Sequence, residues 1–217
     1  MKNEYINRRI FLNASAGGTI GLAGACSSSK TVLMDEPQVK RDFSKDGRSN
    51  RVVFLAHCAV NQNARHVNCA DFPAFMDPLL DALQEYEVGI VQMMCPEMMA
   101  IGLGRDRDVP PVETITEALQ QDKAQERLYT LAMEVVYMIK EYRFQGFNIL
   151  GILGKNGSPT CGVSQITNIE LKQEKGEGEF IRILRQALEK EKIKIEIKGI
   201  DDHRQEESIT WIKERLS

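Results

Sequence analysis

Four short apolar runs, separated by segments of helical period, constrain this chain more than any other feature of its sequence. They are RVVFLAHC (51–58), VGIVQMMC (88–95), FNILGILG (147–154) and KIEIKGID (194–201). Runs this short and this rich in aliphatic and β-branched residues suit buried strands, and helices between them let the strands lie parallel. The first three are apolar on both faces and are expected in the middle of the sheet. The fourth alternates and is expected at an edge. Helices are expected over 77–86, where Pro78 suits a first turn, over 177–192 and over 206–216. A longer one is expected to begin at Glu113 or Thr114 and to end near Tyr142. The predicted fold is α/β: a three-layer αβα domain around a mainly parallel four-stranded sheet in the order 2-1-3-4. The charged stretch KQEKGEGE is expected to be a solvated loop.

A length of 217 residues holds one domain with a full core and a short extension. The formal net charge of −3 argues against nucleic acid as a partner. Five cysteines, Cys26, Cys58, Cys69, Cys95 and Cys161, are dispersed with no C-x-x-C pair. That pattern is neither a disulfide framework nor a zinc ribbon, so any metal site has to be assembled by the fold.

The first residues have the layout of an export signal: a basic start, an uncharged stretch from Ala14 to Ala25, and small residues before Cys26. Arg8-Arg9 followed by Ile10-Phe11-Leu12 resembles a twin-arginine signal, which exports proteins already folded. LAGAC resembles a lipobox, with Leu22 one place too far upstream; lipidation of Cys26 would anchor the chain to a membrane of the cell envelope. Plain cleavage after the small residues, and an uncleaved cytoplasmic tail, are the two other readings. The expected organisation is a signal at 1–26, a polar tether at 27–50 and the α/β domain at 51–217.

In open α/β sheets, ligands bind beyond the carboxyl ends of the strands. Cys58 and Cys95 close the first and second apolar runs, and Cys161 lies in the loop after the third, in GSPTCG. A packing cysteine belongs inside an apolar run, whereas Cys161 stands among Gly157, Pro159 and Gly162, residues that shape backbone around a bound group. The order 2-1-3-4 brings the three thiols to one edge of one sheet. Three thiolates select zinc, copper(I) or an iron–sulfur cluster. With a four-iron cluster, three ligands leave one iron open to a substrate atom. Cys69, in HVNCADFP, is a candidate fourth ligand.

HCAVNQNAR, CPEMMAIGLGR and GSPTCG resemble the bacterial thiouracil desulfurase family, formerly a domain of unknown function, in its desulfidase-related branch. The likeness spans residues 51–164, and the C-P-E and S-P-x-C-G pair is its most specific part. It implies a Rossmann-like domain in which Cys58, Cys95 and Cys161 hold a 4Fe-4S cluster. It also implies a small thiolated substrate that loses its sulfur as sulfide without net redox chemistry. Glu97 and Ser158 correspond to residues thought to assist catalysis. This chain departs from the family where NQNARHVNCADF replaces an Arg-Tyr-Asp-Gly stretch, and where GRDRDVPPVE only faintly echoes a proline-rich segment.

Each of these residues has a plainer reading. Glu97 can cap the following helix, and Ser158 can shape its turn. His57 and His66 are expected to be structural. Met93, Met94, Met98 and Met99 either fill the core or line a soft pocket. Arg105 either grips an anionic substrate or is a solvated charge at a helix end. Trp211 is expected to pack the last helix onto the sheet. Besides the desulfidase, two other functions fit the residues: an iron–sulfur protein that handles sulfide or electrons without turnover, and a three-Cys zinc hydrolase.

Overall fold

The computed structural model describes residues 45–106, 114–168, 170 and 172–216. The expected signal, Cys26, the tether as far as residue 44, and Glu113 lie outside these. In chain order the elements begin with β1 (Arg51–Ala56), α1 (His57–Val60), a 3-10 turn (Gln62–Ala64), α2 (Asp77–Glu85) and β2 (Gly89–Met93). Next come α3 (Pro96–Ile101), α4 (Ile115–Leu119), α5 (Asp122–Phe144) and β3 (Asn148–Lys155). A hairpin of β4 (Gln165–Thr167) and β5 (Gln173–Lys175) follows, then α6 (Glu179–Lys190), β6 (Ile197–Ile200) and α7 (Gln205–Glu214).

The main sheet runs β2-β1-β3-β6 with every pair parallel, the 2-1-3-4 order that would let the three cysteines meet. Side chains alternate across it. Val52 and Phe54 of β1 join one apolar cluster, which α3, α4, α5 and α6 complete. Val53 and Leu55 join a second, which α2 and α7 complete. The result is three layers, αβα. None of the described helices is long and apolar enough to cross a membrane.

Three details differ from expectation. β2 is at an edge, not in the middle, and Gly89, Ile90 and Gln92 are exposed there. Its apolar run reflects two buried side chains, Val91 and Met93, and not burial on both faces. The long helix is two helices. Gln121 takes an extended conformation (ψ 144°) that breaks the chain between α4 and α5. The break leaves the Leu119 carbonyl without a helical partner, and the Gln125 side chain donates to it at 2.6 Å. Part of the expected solvated loop is β5, exposed throughout and paired with β4.

β3 carries a bulge. Val52 and Phe54 of β1 face Ile149 and Ile152, so three steps on β3 match two on β1. The bulge centres on Gly151 at φ +149°, and it switches the strand's phase so that Ile152 faces one cluster while Leu150 and Leu153 face the other. A Cβ at Gly151 would lie 2.7 Å from the Trp211 ring and 2.9 Å from the Glu196 carbonyl. The missing side chain thus seats Trp211, whose Nε1 donates to Glu196 at 2.7 Å, against the sheet, and α7 packs there as expected. We predict that Gly151→Ala lowers the free energy of unfolding by about 1–3 kcal/mol. Urea denaturation checks this, and emission from Trp211, the chain's one tryptophan, will report the displaced ring directly.

Candidate functional site

Three loops leave the carboxyl ends of β2, β1 and β3, which are adjacent, and each carries a cysteine. Cys58 is not the last residue of a strand: β1 ends at Ala56, and Cys58 sits in the single turn of α1. Its carbonyl accepts a hydrogen bond from the buried Gln62 side chain at 2.7 Å, which holds the turn. Cys95 is the N-cap of α3, two residues past β2. Pro96 fills the first helical position, where a missing N–H costs nothing, and the Cys95 Sγ accepts from the Met98 N–H at 3.4 Å. Cys161 lies between β3 and α6, and its carbonyl accepts from Lys155 N–H at 2.8 Å.

The Cys161 loop is built from backbone contacts. Ser158 Oγ accepts from the Thr160 and Cys161 N–H groups at 3.1 and 3.0 Å, closing a tight turn while its own proton stays free to donate. The first N–H groups of α6 turn back on the same loop, Glu179 donating to the Pro159 carbonyl and Phe180 to that of Thr160, both at 3.0 Å. Gly178 makes that approach possible, because a Cβ there would meet Thr160 backbone at 2.5 Å.

The three thiols act on one another electrostatically. Burial pushes Cys95 up to about 11, helped by the charges of Glu97 and Cys58. Burial, then the charges of Cys95 and Cys58, holds Cys161 well above the ordinary thiol value. Burial raises Cys58 as well, against the opposing pull of Arg65 and Lys155. Charge on Cys58 thus disfavours ionisation of Cys95 and Cys161, and charge on Cys95 that of Cys161. No group of three or more His, Cys, Asp or Glu side chains among the described residues is placed to hold a metal ion. A cubane sets its cysteine sulfurs on separate irons, further apart than the ligands of one tetrahedral ion.

Glu97 is buried and has both oxygens engaged. Oε1 accepts from Arg105 Nε at 2.7 Å, and Oε2 accepts from the Thr160 hydroxyl at 2.7 Å. Arg105 in turn donates to the Leu103 carbonyl at 2.5 Å and to the Ala64 carbonyl at 2.7 Å. It is neither a solvated helix-end charge nor a free grip for a substrate. One polar chain, Ala64–Arg105–Glu97–Thr160, thus ties the loops after β1, β2 and β3 together. Arg65 pairs with Asp202 through both carboxylate oxygens, and Lys155 reaches the same carboxylate. Arg65, Lys155, Thr160 and Asp202 were not singled out from sequence. Arg65 closes the HCAVNQNAR motif and Thr160 stands inside GSPTCG, and those positions were the available signals.

The remaining candidates spread out. His57 Nδ1 lies 2.7 Å from Gln92 Nε2, and burial lowers its pKa; His66 is exposed. Cys69 is exposed, with its backbone carbonyl accepting from Arg65 at 2.6 Å, so it stands outside the buried group. Met93 fills the core, Met98 is half-buried, and Met94 and Met99 are exposed.

No family model matches the chain. The uncharacterized protein MJ0003 of Methanocaldococcus jannaschii is 21% identical over 142 residues, covering 65% of this chain and 86% of its own. Among solved structures, the [4Fe-4S]-dependent thiouracil desulfidase TudS is similar at a TM-score of 0.44 and 21% identity, over 74% of this chain and 97% of that one.

Proposed function

We propose that the chain holds a 4Fe-4S cluster through Cys58, Cys95 and Cys161 and removes sulfur, as sulfide, from a small thiolated compound. The observation that carries this reading is the placement of Cys58, Cys95 and Cys161 on three adjacent loops at the carboxyl edge of a parallel sheet, with Cys95 and Cys161 buried. The resemblance of the three motifs to the desulfurase family supplies the substrate class. A cluster with three protein ligands supplies one iron with an open position and an affinity for sulfur. The amino-terminal stretch, on the same reading, directs the folded chain to the cell envelope.

The chain's own groups do the rest. Exposed Val67, Phe75, Met94, Met99 and Leu103 lie on the segments that follow β1 and β2, and offer apolar surface to a flat organic ring at this edge. Ser158 is polarised by the two N–H groups it accepts from, and this makes its free proton a better donor toward charge developing on the substrate. Glu97 stands beside Cys95 and Cys161, and its charge acts on both. We assign it the proton of the attacking water, taken at Oε2, where the Thr160 hydroxyl donates in the resting arrangement.

Anaerobic iron and acid-labile sulfide analysis tests the ligand set. Wild type is expected to carry about four irons per chain and Cys161→Ala to lose them, with sulfide release from thiolated pyrimidines seen in wild type alone. A full iron complement in Cys161→Ala rules out the assignment. Glu97→Gln keeps partners for Arg105 and Thr160, and is expected to retain iron while turnover falls at least about 100-fold. Loss of iron along with activity would make Glu97 a clamp and not a base.

A further inference from the structure

Arg65, Asp202 and Lys155 form a second charged group at this edge, apart from Glu97 and Ser158. Arg65 follows the 3-10 turn after α1, Lys155 is the last residue of β3, and Asp202 lies just past β6. Two loops and the end of β3 therefore meet in it. Arg65 Nη2 donates to both Asp202 oxygens at 2.9 and 3.0 Å, and Lys155 Nζ lies 2.9 Å from Asp202 Oδ2. Arg65 Nη1 also donates to the Cys69 carbonyl at 2.6 Å, and Lys155 to the Asn156 carbonyl at 2.7 Å. The side chains of Arg65, Asp202 and Lys155 are only 9%, 8% and 12% exposed. The outer partner of Arg65, Asp71 at 3.2 Å, is 39% exposed and sits on the solvent side, where water screens its charge.

Burying three ions costs several kcal/mol of desolvation each, and a well-packed apolar set often serves stability as well or better. Stability alone is therefore a weak account of the trio. Its placement supplies another. Two cations share one buried anion, leaving an excess of positive charge beside Cys58 and Cys161: Arg65 N–H donates to the carbonyl of Gln62, whose side chain holds the Cys58 carbonyl, Lys155 N–H donates to the Cys161 carbonyl at 2.8 Å, and both cations favour the Cys58 thiolate. Negative charge gathered by the three cysteines meets that excess across a poorly screened gap.

We propose that Arg65, Asp202 and Lys155 are positioning residues that set the charge felt by the group bound at Cys58, and with it that group's reduction potential and retention. This rests on the cluster reading above. An electron added to a cluster adds negative charge, so a neighbouring cation raises the potential and a neighbouring anion lowers it. The signs of the effects follow. Lys155→Met removes a cation and shifts the potential downward; Asp202→Asn removes an anion and shifts it upward. Lys155→Arg keeps the charge and leaves the potential near that of wild type. Asp71→Asn, on the screened side, leaves it unmoved. Arg65→Lys keeps the charge but loses the two-oxygen fork, and is expected to release iron to a chelator about 10-fold faster.

The experiment is a mediated reductive titration of the full chain, reconstituted anaerobically with iron and sulfide and followed by electron paramagnetic resonance. Iron and sulfide are counted on the same samples. Opposite shifts in Lys155→Met and Asp202→Asn, at full iron, support the proposal. Shifts of one sign, or none, at full iron overturn it while leaving the cluster in place. Wild type that takes up no iron overturns both the proposal and the reading beneath it. Where Asp202→Asn does not fold, the two Lys155 variants decide: a downward shift in Lys155→Met and not in Lys155→Arg supports the proposal, and equal potentials refute it.

Discussion

Everything at the candidate site depends on β1 being hydrogen-bonded along both edges, to β2 on one side and β3 on the other, with all three strands pointing the same way. Parallel pairing forces each connection to cross back over the sheet, so the carboxyl ends collect on one edge and the loops leaving them become neighbours. Residues 58, 95 and 161 are far apart in the chain, and this arrangement is what makes them a group. An antiparallel partner on either side of β1 would send one thiol to the far end of the sheet.

Neighbouring loops are not yet a rigid site, because backbone that has left a sheet must be held by something else. Here two buried polar groups hold it. The chain from Ala64 through Arg105 and Glu97 to Thr160 links the three cysteine loops, and Arg65, Asp202 and Lys155 link two of them to the loop after β6. Arg105 adopts φ 63°, in the left-handed region, and with it the guanidinium reaches all three of its acceptors. A side chain held that tightly has no freedom left to follow a substrate, which separates the bracing residues from Ser158 with its spare proton.

Much of this was legible in the sequence, and the reasons it stopped where it did are physical. Apolar runs report burial, and burial plus the helical segments between the runs gives a parallel sheet; the order 2-1-3-4 follows only from requiring the three cysteines to meet at one edge. Burial does not report where backbone leaves a sheet, so Cys58 and Cys95 were placed on strands when each lies in or at the start of a short helix. Nor does it separate a strand covered on both faces from an edge strand such as β2. The break between α4 and α5 left no mark in the helical period, because Gln120 and Gln121 suit a helix interior as well as its end. The motif cysteines could be found because their thiols carry distinctive chemistry. The bracing ions could not: Arg65 and Asp202 are 137 residues apart, and neither belongs to a pattern that one sequence can display.

The same contrast orders the residues by what their loss would do. An interaction between two loops stores its free energy in their relative position, so its removal is felt at every thiol. Under the proposed function Glu97 would act in two ways. Its contacts with Arg105 and Thr160 are those of a brace, yet it stands close enough to Cys95 and Cys161 for its charge to act on both. A carboxylate held by one charged and one neutral donor can yield the neutral contact far more cheaply than the charged one. If proton transfer occurs at Glu97, it therefore occurs at Oε2, with Arg105 still gripping Oε1 and the loops still joined.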